Sequence, residues 1–357
     1  MERKINLHTE IAHRIEVLLG QNVAIRGNQN GPGFAISSVQ GPREENQDRA
    51  AVAQVSLPNG ERYLIAIVCD GMGGMSKGGI AADCALSHFV ASVINFNRRN
   101  VKHSILLGMR TANSAVYKRF GGSGGTTLSA VIMSEHNEIW IANAGDSRVY
   151  GQDELNGLTL LTRDDTIGGQ LKTEPEDAML DNRLIQFIGI GDVLEPHIIR
   201  VCKEHFSSVL ITSDGAHSIG RQVLSGIFKF GATPAQFSRR IVSVAESIGI
   251  EDNASAISID PAQMRFNASY GSAIELSIVS PYDRLELWID PAYASSERTS
   301  KASAVEKELS KSEIERDKKP KRKPKGNMKK RNTKVEPDAE VRPQLNIEFQ
   351  NTSEDKS

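Results

Sequence analysis

The stretch YLIAIVCDGMGG, residues 63–74, decides how this chain folds. Seven apolar residues, Tyr63 to Cys69, run without a polar break and then stop at an aspartate followed by glycine, methionine and two more glycines. A short unbroken apolar run bounded by turn residues reads as a buried strand. Asp-Gly is also a common turn pair, because Gly accepts positive φ and Asp bonds its own backbone. The plain reading of Asp70 and Gly71 is therefore a bend, and the rest of the chain has to move it.

The same local grammar recurs. In SSVLITSDG (207–215) an apolar strand, 208–212, ends near Asp214; in IANAGDSR (141–148) Asp146 occupies the turn between two strands. GIEDNASAISI (249–259) sets Asp252 immediately before a final strand, and GPREENQDRAAV (41–52) sets Asp48 before another, with Arg43 five residues back. Hard divalent cations want clustered oxygen ligands, and Mg²⁺ or Mn²⁺ takes a few carboxylates and often a backbone carbonyl. Loops at strand ends are where a rigid scaffold brings such groups together. A Gly after a ligand Asp, here Gly71, leaves its carbonyl open to an ion. Two ions about 3.5–4 Å apart stabilise an in-line displacement at phosphorus, and an Arg adds a bidentate fork for phosphate oxygens. The residues present suit metal-assisted phosphoester hydrolysis.

Short β-rich runs and longer helical stretches alternate from about residue 34 to 260. Strands are expected at 34–39, 50–56, 62–69, 127–133, 138–143, 147–151, 197–201, 208–213 and 254–259, and helices at 78–97, 102–120 and 234–248, the last with Pro near its first turn. Strands mostly meet strands through short turns, so an antiparallel layered α+β arrangement fits better than a doubly wound sheet. Residues 5–19 carry a helical stripe that Gly20 ends, and 21–33 read as linker or loop, giving an N-terminal segment 1–33 before a main domain 34–262. Two alternating runs within 263–290 read as an appended hairpin, 263–295.

Beyond about residue 295 the composition changes. KKPKRKPKGNMKKRNTK (318–334) is dense in Lys and Arg with almost nothing apolar, so the tail 296–357 is expected to be disordered. It offers phosphate contacts to nucleic acid, anionic lipid or an acidic partner, or serves only as a spacer. The LNIEF patch (345–349) that follows is too short to argue from. Of 357 residues 39% are hydrophobic, and the formal net charge of -1 hides the basic tail. Cys69, Cys84 and Cys202 are scattered, with no CxxC pair, which argues against a disulfide framework or structural zinc site. With no apolar run of about 18 residues and no signal-peptide pattern, a soluble cytoplasmic protein is expected.

REENQD (43–48), VCDGMGG (68–74), GGTTLSAVIM (124–133), IANAGDSRVY (141–150), LTRDDT (161–166), LITSDG (210–215) and EDNASAISI (251–259) occur in that order. Together they resemble the bacterial form of the metal-dependent type 2C protein Ser/Thr phosphatases, the PPM family, over about residues 34–260. The resemblance implies a four-layer αββα sandwich, two antiparallel β-sheets flanked by helices, with a binuclear Mn²⁺/Mg²⁺ centre at one end. It implies hydrolysis of phosphoserine and phosphothreonine by direct attack of a metal-bridging water, opposing a Ser/Thr kinase. Residue by residue, Asp70 matches the bridging carboxylate, Gly71 offers its carbonyl to the second ion, and Asp214 and Asp252 match the remaining acids on the first. Arg43 matches the phosphate-binding arginine, and Asp48 the acid holding metal-bound water or a metal edge.

The sequence also departs from that pattern. Gln47 stands where many members have Glu, so it ligates without charge. Ser218 replaces an Asp that, with Asp146, builds a third ion site. Met72 replaces a His common in eukaryotic members. His217 is either a proton donor or ligand, or a surface-loop residue. The flap, 164–196, matches loosely, with Gly189 and Gly191 as hinge candidates. GGSGGTT (121–127) lacks the Lys of a phosphate loop and reads as a flexible turn. The competing reading is a regulatory binding protein on the same fold with an impaired centre.

Overall fold

A computed structural model describes residues 7–20, 24–72, 77–92, 100–136, 138–153, 157–171, 182–202, 206–231, 233–266 and 273–290. All lie in the first of two units of the chain, Met1–Ala304; the basic tail and LNIEF lie outside the described residues.

Thirteen strands among these residues form two wholly antiparallel sheets. The first runs in the order β1 (Arg26–Gly31), β2 (Phe34–Val39), β11 (Ala254–Ile259), β10 (Ser208–Thr212), β7 (Arg148–Asp153) and β8 (Gly157–Leu160). The second runs β13 (Arg284–Ile289), β12 (Ile274–Val279), β3 (Asp48–Ser56), β4 (Arg62–Asp70), β5 (Leu128–Ser134), β6 (Glu138–Ala144) and β9 (His197–Cys202).

Strand β4 shows why the chain stacks in four layers. Successive side chains of a strand point to opposite faces. Leu64, Ala66 and Val68 enter a core between the sheets, with Val52 of β3, Val131 of β5, and Ile36, Ile211 and Ile257 of the first sheet. Tyr63, Ile65, Ile67 and Cys69 enter a second core under three helices, α1 (Leu7–Gly20), α2 (Gly78–Ser92) and α3 (Val101–Phe120). With both faces covered, nothing selects for polar residues at alternate positions, hence the unbroken run. On the outer face of the first sheet, α5 (Asp214–His217), α6 (Arg221–Phe230) and α7 (Pro234–Ser247) close a third core around Leu210, Ala254 and Ala256. Thr233 caps α7 and Pro234 fills its first turn, where a missing N–H costs nothing.

Three segments differ from the sequence reading. Residues 26–31 of the expected linker pair fully with β2, from Arg26↔Val39 to Gly31↔Phe34. RGNQNG carries no apolar alternation because β1 is an edge strand, and Arg26 bonds Glu246 and Ser243 of α7. The helix α1 sinks Ile11, Ile15, Leu18 and Leu19 into the core beneath α2, so the segment before residue 34 packs as part of the sandwich. The 263–290 runs do form a hairpin, but β12 also pairs with β3, Glu275↔Ser56 to Val279↔Val52, extending the second sheet rather than standing apart from it. The elements β8, α5, α6 and the short α4 (Ile167–Leu171) were not expected; helix 78–97 is described only to Ser92.

Candidate metal centre

The two sheets deliver the acids to one end of the sandwich. Asp48 is the first residue of β3 and Asp70 the last of β4, and the ladder sets them directly opposite one another. Asp214 follows β10, Asp252 precedes β11, and those neighbouring strands pair Thr212↔Ala256. Asp146 turns the chain from β6 into β7.

Their mutual reach shows in their charge balance. Burial, then the charges of Asp214 and Asp252, push the Asp48 carboxyl up to about 7 against a hydrogen bond from Ser213. Burial, then Asp214, Asp48 and Asp146, hold Asp70 well above the ordinary carboxylate range. Asp214 is raised by burial and by Asp252, against a hydrogen bond it shares with Asp70. Burial, then Asp214 and Asp164, push Asp146 up to about 7. Like charges this close cannot all ionise without a compensating cation.

Neighbours hold these groups in place. Thr127 Oγ1 accepts from Asp70 N at 2.9 Å, and the Asp70 carbonyl accepts from Thr126 Oγ1 at 2.8 Å and from Thr127 N at 2.9 Å. Ser213 Oγ donates to Asp48 Oδ2 at 2.7 Å. Asn253 ties three backbone segments: its Oδ1 accepts from Gln47 N at 2.7 Å, and its Nδ2 donates to the carbonyls of Gln40 at 2.6 Å and Glu45 at 3.0 Å. Sequence reasoning gave none of these four residues a role, although GGTT, ITSDG and EDN lie inside the motifs; short hydroxyl and amide side chains beside the acids were the available signal. The expected flexible turn at 121–127 ends instead in two buried threonines clamped on Asp70.

Arg43 lies at the rim, about half exposed, its Nε donating to the Glu251 carbonyl at 2.8 Å and its Nη2 to Asp252 Oδ2 at 2.7 Å. Gln47 Nε2 bonds Glu45, leaving Oε1 turned inward. A Cβ built on Gly78 would sit 2.6 Å from Gln47 Oε1 and 3.0 Å from the Gly71 carbonyl oxygen, so both oxygens face one small space. A Cβ on Gly71 would run into the backbone of Gly78 and lie 2.9 Å from the Gln47 carbonyl. Only glycine fits there.

His217 is half-buried rather than on a surface loop. Its Nδ1 pairs with Thr212 Oγ1 at 3.1 Å, and burial and then Arg148 hold it well below the usual histidine range. Ser218 Oγ folds back onto the Gly215 carbonyl at 2.7 Å. Nearby, Arg148 forks onto Asp164, with Nη2 to Oδ2 at 2.7 Å. Asp165 Oδ2 accepts from Gly145 N at 3.0 Å while Oδ1 meets His197 Nε2 at 2.9 Å. The hinge candidates Gly189 and Gly191 have φ of 109° and 90°. Both backbone N–H groups point at Asn113 Oδ1, and Asn113 Nδ2 donates to the Gly191 carbonyl at 2.6 Å, which pins this end of the flap to α3. Residues 172–181 of the flap lie outside the described set.

No protein-family model matches the chain. It is 26% identical over 235 residues to the serine/threonine phosphatase Stp of Listeria welshimeri, covering 61% of this chain and 91% of that protein. The PPM Ser-Thr phosphatase MsPP of Mycobacterium smegmatis, solved with cacodylate, is 26% identical with a TM-score of 0.52, over 64% of this chain and 97% of that one. In sequence and in fold the chain resembles the bacterial PPM, or type 2C, Ser/Thr phosphatases. The PstP catalytic domain, solved with two manganese ions, shares the fold: TM-score 0.54, 22% identity, over 66% of this chain and 98% of that one.

This end of the sandwich suits hard cations. Asp48 Oδ1 and Asp214 Oδ1 are buried with no hydrogen-bond partner among the described residues, and orphaned buried carboxylate oxygens are costly. The inward-facing donors are carboxylate, amide and carbonyl oxygens, the set that Mg²⁺ and Mn²⁺ prefer. The residues present fit the metals.

Proposed function

We propose that the chain is a metal-dependent protein serine/threonine phosphatase that hydrolyses phosphoserine and phosphothreonine through Mn²⁺ or Mg²⁺ held by these acids. The convergence of Asp48, Asp70, Asp214 and Asp252, with two buried oxygens left unpaired, carries this reading. Asp70, Asp214 and Asp252 would hold one ion, and Asp70, the Gly71 carbonyl and Gln47 Oε1 the other. Asp48 would hold water at their edge. Bound divalent cations supply an activated water and neutralise charge developing on phosphorus. Arg43, anchored through Nε and Nη2, keeps Nη1 for a phosphate oxygen at the rim, and its exposure fits a group that meets a protein surface. Asp146 lies within electrostatic reach of Asp70 and Asp214, but Ser218 brings no carboxylate to it, so we assign two ions and no third.

The substrates are phosphoproteins, among them a Ser/Thr kinase or its targets, and the basic tail offers contacts to an acidic partner or nucleic acid. No described helix is long and apolar enough to cross a membrane. The three free cysteines support action in a reducing compartment, the cytoplasm. The full chain with Mn²⁺ should release phosphate from a phosphothreonine peptide, and Asp70→Asn should abolish release. Undiminished turnover by that variant would overturn the assignment.

A further inference from the structure

The helical layer over the second sheet holds a different donor set. Glu16 of α1 and Cys84 and His88 of α2 bring a carboxylate oxygen, a sulfur and an imidazole nitrogen within 4.8 Å of one another. Cys84 and His88 are spaced i, i+4, so one face of α2 presents both toward α1. Cys84 is buried; Glu16 and His88 are half-buried. His88 Nδ1 lies 3.0 Å from His8 Nε2, in the first turn of α1. From α3, Arg119 Nη1 donates to Glu16 Oε2 at 3.1 Å, with Arg119 at 44% side-chain exposure. None of these residues belongs to the acid cluster described above.

We infer that Glu16, Cys84 and His88 form a second cation site, selective for a borderline-soft divalent ion of the zinc class, that clasps α1 to α2. The donors decide the class: one sulfur, one nitrogen and one oxygen suit Zn²⁺, whereas Mg²⁺ and Mn²⁺ prefer oxygen. Bonds of about 2.0–2.3 Å put tetrahedral ligands roughly 3.3–3.8 Å apart, so closing from 4.8 Å asks about 1 Å of side-chain rotation. A ligating imidazole commonly engages a partner through its other nitrogen, which fixes ring orientation. With His88 Nδ1–H donating to His8 Nε2, His88 Nε2 would be the nitrogen that coordinates. Burial holds His88 below its ordinary range, hence neutral and competent as a ligand. It also pushes the Cys84 thiol up to about 12, so the ion must displace the thiol proton: one M²⁺ enters, one S–M bond forms, one H⁺ leaves to buffer, and nothing is oxidised. Arg119 competes for both Glu16 and Cys84, and its exposure lets it swing into solvent as the ion enters.

The test uses Co²⁺, whose thiolate complexes show a near-ultraviolet charge-transfer band that oxygen ligands do not give. The full chain carrying Cys202→Ser, which removes the exposed thiol, is titrated with Co²⁺ and then Zn²⁺. The expected result is a thiolate band saturating at one ion per chain and bleached by stoichiometric Zn²⁺. Cys84→Ser should abolish the band, His88→Gln should weaken binding by more than the about 10–100-fold that losing a ligand's supporting partner costs, and Arg119→Gln should tighten it. No band in the parent chain, or an unchanged band in Cys84→Ser or His88→Gln, overturns the proposal. Because the parent chain alone can refute it, a variant that fails to fold leaves the test intact. The readout is independent of phosphate release, so either proposal can fail without the other.

Discussion

Replacing Asp48 by Asn should stabilise the metal-free protein while impairing it as an enzyme. Burial and the neighbouring acids lift the Asp48 carboxyl from the ordinary 3.8 to about 7. At about 1.36 kcal/mol per pH unit, the ionised form costs the folded state about 4 kcal/mol well above pH 7. The sign follows from the raised value: the fold binds this proton more tightly than the unfolded chain does. Its contribution is therefore complete below the unfolded carboxylate pKa and is lost as pH rises through about 7. Asparagine removes the charge, and its Oδ1 still accepts from Ser213 Oγ. Its amide N–H₂ takes the place of the unpartnered Oδ1, and imperfect pairing there returns about 1–3 kcal/mol. The net gain is about 1–3 kcal/mol at about pH 8, or about 3–10 °C in Tm, shrinking toward zero at about pH 5. Thermal melts in EDTA across that range measure it. A variant that melts below the parent at high pH, or a difference that does not shrink on acidification, would refute the electrostatic reasoning. Mn²⁺ should raise the Tm of the parent more than that of the variant.

Gly71→Ala should cost about 1–3 kcal/mol in urea denaturation together with phosphatase activity, because the new methyl meets backbone of Gly78 and Gln47; an unchanged midpoint would contradict that packing. Asn253→Ala removes hydrogen bonds to Gln47, Gln40 and Glu45. It should cost about 2–4 kcal/mol and weaken Mn²⁺ binding in calorimetry, and unaltered affinity would free Asn253 of any part in shaping the centre. Arg43→Ala should lower kcat/KM for a phosphopeptide about 10–100-fold, chiefly through KM, and barely alter Tm because its ion pair is half exposed. A pure kcat loss would assign Arg43 another task.

The acids stood out because each sits at one end of a strand-like run, a one-dimensional signal: β4 ends at Asp70 and β10 just before Asp214, and β3 begins at Asp48 and β11 just after Asp252. The antiparallel layering was legible because strands mostly follow strands through short turns, while the unbroken run of β4 reflects a strand covered on both faces. Strand β1 was not, because an edge strand bonded to α7 through Arg26 leaves no apolar trace in RGNQNG. The bracing residues were hidden by separation: Ser213 reaches Asp48 across 165 positions and Asn253 reaches Gln47 across 206, and no local pattern encodes such pairs. His217 misled because three residues past an Asp-Gly turn suggests solvent, whereas Asp214 starts a helical turn that carries it inward.

The opposition of Asp48 and Asp70 on the terminal rung of β3 and β4 has a consequence for how damage spreads. The spacing of the pair is written into the backbone ladder of the central sheet, so molecules that complete the sheet inherit it. Lesions remote from the acids, such as cavities under α1 or in the 274–289 hairpin, should thin the population of working molecules while leaving each survivor's turnover intact. Active-site titration, rather than bulk rate, would tell an enzyme made scarce from one made slow.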